Sequence, residues 1–168
     1  DDKVLTSWNA MAIDGMAFAA RVFGEPRWAQ SARHALDFMR VELWRDGRLL
    51  ATHKDGRSHL NAYLDDYAFL LGAVLELMQA GPLRPDDLHF AHGLADALLA
   101  QFEDSRDGGF FFTSHDHEAL VLRPKSGHDG ATASGNGVAA LQLQRLGPLV
   151  GDVRYLPAAE RALAVFAP

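Results

Sequence analysis

Apolar residues return along this chain at helical spacing, three and four positions apart. Trp8, Met11, Ala12, Gly15, Ala19, Val22 and Phe23 form one stripe, which predicts a helix from about Ser7 to Phe23 capped by Thr6 or Ser7. Gly24 stops it, and Pro26 suits the first turn of a second helix carrying Trp28, Ala32, Leu36, Met39 and Leu43. A third helix opens near Asn61 or Leu64, with Leu64, Tyr67, Ala68, Leu71, Leu75 and Met78 as its stripe and Gly81-Pro82 as its stop. A fourth starts at Pro85 and presents Leu88, Ala91, Ala95, Leu98, Leu99 and Phe102. A fifth runs from about Ser134 to Leu146 and a sixth from about Pro157 to Phe166, with Gly147-Pro148 as the break between them. The short links within each pair require antiparallel neighbours, so the helices fall into three hairpins.

Two longer polar excursions join one hairpin to the next. Asp46-Gly47 and Asp55-Gly56 bracket the extended run Arg48 to His53, the pattern of a small β-hairpin. Between Asp104 and Ser134, the turn Asp107-Gly108-Gly109, the strand GFFFT, the turn SHDHE and the returning strand ALVLR predict a second one. The fold class expected is therefore all-α: three antiparallel helical hairpins with two small β-hairpins. The same event, a polar loop feeding an apolar helix, recurs near Trp8, near Tyr63 and near Asn136. This is a degenerate repeat with its insertions on one face, the face that repeat proteins use for binding. The first, third and fifth helices then aim their positive amino ends at one region.

Composition narrows the functions. A chain of 168 residues that is 48% hydrophobic is expected to form one domain with a packed core. A formal net charge of -6 argues against a nucleic-acid partner. Cys is absent, which removes disulfides, thiolate metal sites and Cys nucleophiles. No apolar run approaches membrane-helix length, and DDKVL lacks the features of a signal peptide, so the expectation is a cytoplasmic chain without membrane contact. The missing initiator Met and the abrupt ALAVFAP end lead us to expect a fragment of a longer protein.

Candidate chemistry gathers at the three helix starts. Asp65 and Asp66 are adjacent on a helix, so their side chains diverge by about 100° and only one can face a given cavity. Either suits general acid-base work or a sugar hydroxyl, against a competing role in capping. Asp129 lies between glycines near Lys125 and His128, and a paired Lys would keep it ionised. Asp129 with Asp65 or Asp66 would supply the two carboxylates of a glycosidase. Trp8, Asn9, Tyr63, Lys125, His128, Ser134 and Asn136 are the expected ligand-binding residues. Trp8, Tyr63 and Phe110 to Phe112 suit a sugar-stacking wall, although three consecutive Phe on a strand cannot share a face. For Trp8 a core position is at least as strong a reading. His115-Asp116-His117-Glu118 offers two alternate histidines, but no third ligand follows at a matching spacing, and a turn is the better reading. No metal and no cofactor are expected, since no phosphate-binding glycine pattern is present either.

Three segments, DDKVLTSWNAM, AYLDDYAFLLGAVLEL and DGGFFFTSHDHEALVLRPKSGHDGATASGNGVAAL, resemble a two-part family. Its members join a thioredoxin-like domain to a six-hairpin (α/α) toroid and include a mammalian spermatogenesis-associated protein. The resemblance implies about half of such a toroid, of a kind similar to glycoside hydrolases and N-acylglucosamine 2-epimerases. With no Cys here, a redox role does not carry over. By fold analogy the expected function is a carbohydrate-active or sugar-like-ligand-binding domain; the rival is a non-catalytic scaffold or protein-interaction module. A half toroid would bare apolar flanks, so the chain is expected to form a homodimer or to depend on further sequence of its parent.

Overall fold

The computed structural model describes residues 2–118 and 121–167. Among them, the helices are α1 (Thr6–Phe23), α2 (Pro26–Glu42), α3 (Leu64–Gln79), α4 (Pro85–Phe102), α5 (Gly135–Val150) and α6 (Tyr155–Phe166). The strands are β1 (Val4–Leu5), β2 (Trp44–Arg45), β3 (Arg48–Lys54) and β4 (Arg57–Asn61). Helices α1, α3 and α5 pack side by side as an inner row, and α2, α4 and α6 each back their own hairpin partner. The architecture is that of a partial (α/α) toroid.

The inner helices are parallel because polar contacts pin them at both ends. At the amino ends, the Ser7 backbone N–H donates to Asp66 Oδ1 at 2.9 Å, joining α1 to α3. The start of α3 then meets the start of α5, where Gly135 lies against Leu64 and Asp65. Toward the carboxyl ends, buried Glu76 of α3 accepts from Arg21 of α1 and, at 3.2 Å, from Arg145 of α5. Helix α3, in the middle, is buried along nearly its whole length, with Tyr67, Leu70, Leu71 and Leu77 among the largest buried side chains.

Helix α1 buries a different face from the one its periodicity predicts. Its core residues are Ala10, Ile13, Ala17 and Ala20. Trp8, Ala12, Gly15, Val22 and Phe23 are exposed. Small residues win the buried position because α2 and α3 both approach α1 closely, and the bulky stripe is left on the free flank. The far flank, on α5 and α6, is similarly bare at Leu141, Leu149, Leu156 and Leu163.

Among the described residues the first excursion forms the sheet, in order β1-β3-β2, with β4 also on β3. Both turns place Asp46-Gly47 and Asp55-Gly56 at positive φ, as that turn chemistry requires. Among the described residues the second predicted hairpin shows no ladder: Phe110 makes an isolated bridge to Glu103, and scattered backbone bonds such as Phe112 N–H to the Pro124 carbonyl, together with side chains, hold the loop. Two residues of its returning segment, Ala119 and Leu120, lie outside the described residues. The break expected at Gly147-Pro148 also moves. Pro148 sits inside the last turn of α5, and Gly151 ends the helix in the left-handed region.

Buried charge ties the outer helices together. Asp87 of α4 takes Arg33 and Arg40 of α2 and Arg84 just before α4. Burial alone would raise its carboxyl, but Arg84 and Arg33 outweigh it and hold it below the usual range. Asp87 is thus a crosslink between hairpins.

Candidate functional site

The amino ends of α3 and α5, with the loop before α5, enclose a cavity of about 210 Å³. Leu64, Asp65, Phe112, Pro124, His128, Ser134, Gly135 and Asn136 contribute to its lining. The divergence of adjacent helical side chains separates the two aspartates. Asp65 faces this cavity, and Asp66 turns into the protein at 5% exposure.

Asp66 is a structural cap. Its Oδ2 accepts the Tyr63 N–H at 2.9 Å, the returning half of a capping box, while Oδ1 accepts the Ser7 N–H of α1. Burial raises its carboxyl to about 6, with the Tyr63 and Ser7 donors opposing the rise. Of the two roles weighed for Asp66, its contacts are those of capping, and one expectation is corrected: neither Thr6 nor Ser7 caps α1 by its side chain. Thr6 Oγ1 instead donates to the Leu50 carbonyl at 2.7 Å.

Asp65 has the opposite character. Among the described residues its carboxylate accepts no hydrogen bond and forms no ion pair. Desolvation by burial raises its pKa with nothing to oppose it. It sits so close to the start of α5 that a Cβ on Gly135 would collide with its Oδ1. Gly135 is therefore a close-approach glycine, and it leaves the carboxylate beside the positive end of α5.

Several other expected ligand residues turn out to build the loop. Lys125 does not pair with Asp129. Its Nζ donates to Asp104 Oδ2 at 2.7 Å and to the Gly108 carbonyl at 3.0 Å, and it lies over the Phe111 ring. Lys125 and the Arg106 and Asp107 backbone donors hold Asp104 down at about 2. Asn136, 1% exposed, accepts from the Phe110 N–H at 2.7 Å and donates to the carbonyls of Phe110 and Ser126. Ser134 caps α5 by accepting from the Gly137 N–H and donates to the Ser126 carbonyl. Asp129 is exposed and anchors the loop by accepting the Ser134 N–H at 2.8 Å. Asn9 donates to the Leu5 carbonyl within its own helix start.

The aromatic residues divide as strand geometry requires. Phe110 is fully buried, Phe111 carries Arg123 and Lys125, and Phe112 stacks on Tyr63 at 4.9 Å and 14° beside the cavity. Trp8 is 64% exposed on the first turn of α1, so it is not a core residue. His128 is exposed at the cavity edge. His115 and His117 do not converge: His115 meets Arg123, and His117 lies against Tyr63. Asp116 in that turn pairs with Arg48, which holds its carboxyl at about 2.

One residue on the inner row was not singled out from the sequence. Asp14 of α1 is half-buried, its pKa raised by burial and by the nearby Glu76 charge, and it lines a second cavity. A carboxylate in the middle of a helix otherwise made of small and apolar residues was the available signal.

No family profile matches the chain. Spermatogenesis-associated protein 20 of Homo sapiens is 32% identical over 167 residues, covering 93% of this chain and 21% of that protein. The same protein of Rattus norvegicus is 30% identical over the same shares. The chain thus spans about a fifth of the length of these relatives. An inactive variant of an α-1,6-mannanase from Salegentibacter, solved with α-1,6-mannotriose, has a TM-score of 0.77 at 14% identity, covering 98% of this chain and 47% of that one. Cellobiose 2-epimerase from Spirochaeta thermophila gives 0.74 at 18% identity, covering 98% of this chain and 43% of that one. A D-mannose isomerase gives 0.72 at 16% identity, covering 95% and 40%. These likenesses establish the fold as part of an (α/α) toroid like theirs, as the sequence resemblance implied.

Proposed function

We propose that this chain supplies the amino-end face of a carbohydrate-binding cavity, with Asp65 as its acid-base group. The observation that carries the reading is the state of Asp65: desolvated, unpaired, and facing a hollow beside a helix amino end. A carboxylate without partners is costly to bury, and a ligand hydroxyl or glycosidic oxygen would satisfy it. Burial, which favours the neutral acid, is in the direction that an acid-base carboxyl needs. Phe112, backed by the stacked Tyr63 ring, offers one flat apolar face at the cavity on which a sugar ring can pack. In the mannanase variant that was made inactive, two consecutively numbered aspartates are replaced by asparagine. Asp65 and Asp66 are likewise consecutive, and here the cavity-facing member is Asp65.

The domain reading accompanies this. We propose that the chain is about half of a closed ring, whose bare flanks at Val22, Phe23, Leu141 and Leu163 are covered by further hairpins or by a second copy.

Calorimetric titration with mannose, α-1,6-mannobiose, glucose and cellobiose tests the ligand reading. Binding of at least one of these, weakened tenfold or more by Asp65→Ala at unchanged fold, is the expected result. Equal binding by wild type and variant, or no binding of any of the four, would overturn it.

A further inference from the structure

The second cavity, about 220 Å³, lies next to the first along the inner row, and Ala133 lines both. Its walls come from all three inner helices: Met11 and Asp14 of α1, Phe69 and Gly72 of α3, and Val138 and Gln142 of α5. Two polar groups there lack partners. Among the described residues, the Asp14 carboxylate accepts no hydrogen bond. Gln142, 6% exposed, accepts from Arg145 at its Oε1 but donates nothing from Nε2. Neither group is a sealed, unsatisfied atom: both are open to the cavity and free to bond a guest in place of water. The glycine at 72 keeps that space open, since a Cβ there would stand 3.2 Å from Gln142 Nε2.

We infer that this cavity is a second sugar subsite, so that the ligand is an oligosaccharide or glycoside of at least two units. The inference rests on the carbohydrate reading of the Asp65 cavity. An acceptor and a donor on the walls of one cavity are the two functions that sugar hydroxyls can satisfy. Met11, Phe69 and Val138 supply the apolar surface for the C–H face of a ring. A single sugar fills one cavity of this size, and a linked pair can reach across the shared Ala133 wall. Asp14 and Gln142 are binding residues in this scheme; the acid-base role stays with Asp65.

Titrating each monosaccharide against its own disaccharide tests this, mannose with α-1,6-mannobiose and glucose with cellobiose. Two hydrogen bonds in the second subsite should make one disaccharide bind about tenfold tighter than its monosaccharide. Asp14→Ala should remove that gain, lowering the disaccharide affinity about tenfold. Gly72→Ala, a change that favours the helix while crowding the Gln142 amide, should do the same and guards against misfolding of the first variant. A monosaccharide that binds as tightly as its disaccharide, or a gain that survives both substitutions, means the cavity holds only water and overturns the inference. If wild type binds none of the sugars, the Asp65 reading falls and takes this one with it.

Discussion

Asp66 Oδ1 accepts the Ser7 backbone N–H at 2.9 Å, so the carboxylate of one inner helix caps its neighbour. The same side chain caps its own helix at Tyr63. The starts of α1 and α3 are therefore registered by a single buried group. Burial raises that group from the ordinary 3.8 to about 6. The folded chain then binds more protons than the unfolded chain between these values. The stability that protonation provides is fully present below about pH 4 and is lost as pH rises through about 6. A shift of this size corresponds to about 3 kcal/mol at most. Denaturant unfolding at pH 5 and pH 7.5 should show higher stability at the lower pH, and Asp66→Asn should flatten the difference. Asp104 and Asp116, held at about 2, lose their pairing only well below this window.

Asp65→Asn separates function from folding. The substitution keeps the shape of the side chain and removes a desolvated charge that has no partner among the described residues. Sugar processing should be abolished, while the melting temperature stays level or rises. A fall in stability comparable to that of a lost cap, about 1 kcal/mol, would reassign Asp65 to a structural role.

The fold was legible from sequence because apolar periodicity and Gly-Pro punctuation are local signals. The three hairpins, their boundaries to within a few residues and the shared face of their odd-numbered helices all came from that source. The buried face of α1 was misread because its core positions are alanines and one isoleucine, whereas Trp8, Val22 and Phe23 dominate any hydropathy stripe. Site residues fared less evenly. The Asp65-Asp66 pair was located, and the divergence of its members was anticipated, but which one turns inward depends on where α1 lies. Lys125 and Asn136 looked like ligand groups because loop polarity is the same signal whether the partner is a sugar or a backbone carbonyl. Their true partners, Asp104, Gly108 and Phe110, are set by tertiary closure of the loop.

Gly135→Ala tests the packing of the two helix starts. The added Cβ collides with Asp65 Oδ1 and presses on Leu64. Helix propensity would favour alanine, yet at this first helical position the clash dominates. A destabilisation of about 1–3 kcal/mol is expected, together with weaker sugar binding because Asp65 must rotate out of place. Combining Gly135→Ala with Asp65→Ala removes the clashing oxygen, so denaturation should show part of the loss recovered. Strictly additive effects would mean the two residues do not interfere.

Asn136→Ala is expected to be a folding variant rather than a binding variant. The buried amide accepts from Phe110 N–H and donates to the carbonyls of Phe110 and Ser126, standing in for the β-ladder that the second excursion does not form. Removing it leaves buried backbone groups of that loop unsatisfied, at about 1–3 kcal/mol for each group that water cannot reach. The loop carries Phe112, Pro124 and Ser126, which line the cavity, so its loosening should lower sugar affinity as a secondary effect. Hydrogen exchange can separate the two effects: the Phe110 amide should lose protection in Asn136→Ala, while amides in the middle of α3 keep theirs. Asp65→Asn should leave the Phe110 amide protected. An Asn136→Ala chain with wild-type stability and a protected Phe110 amide, but impaired binding, would return Asn136 to the ligand.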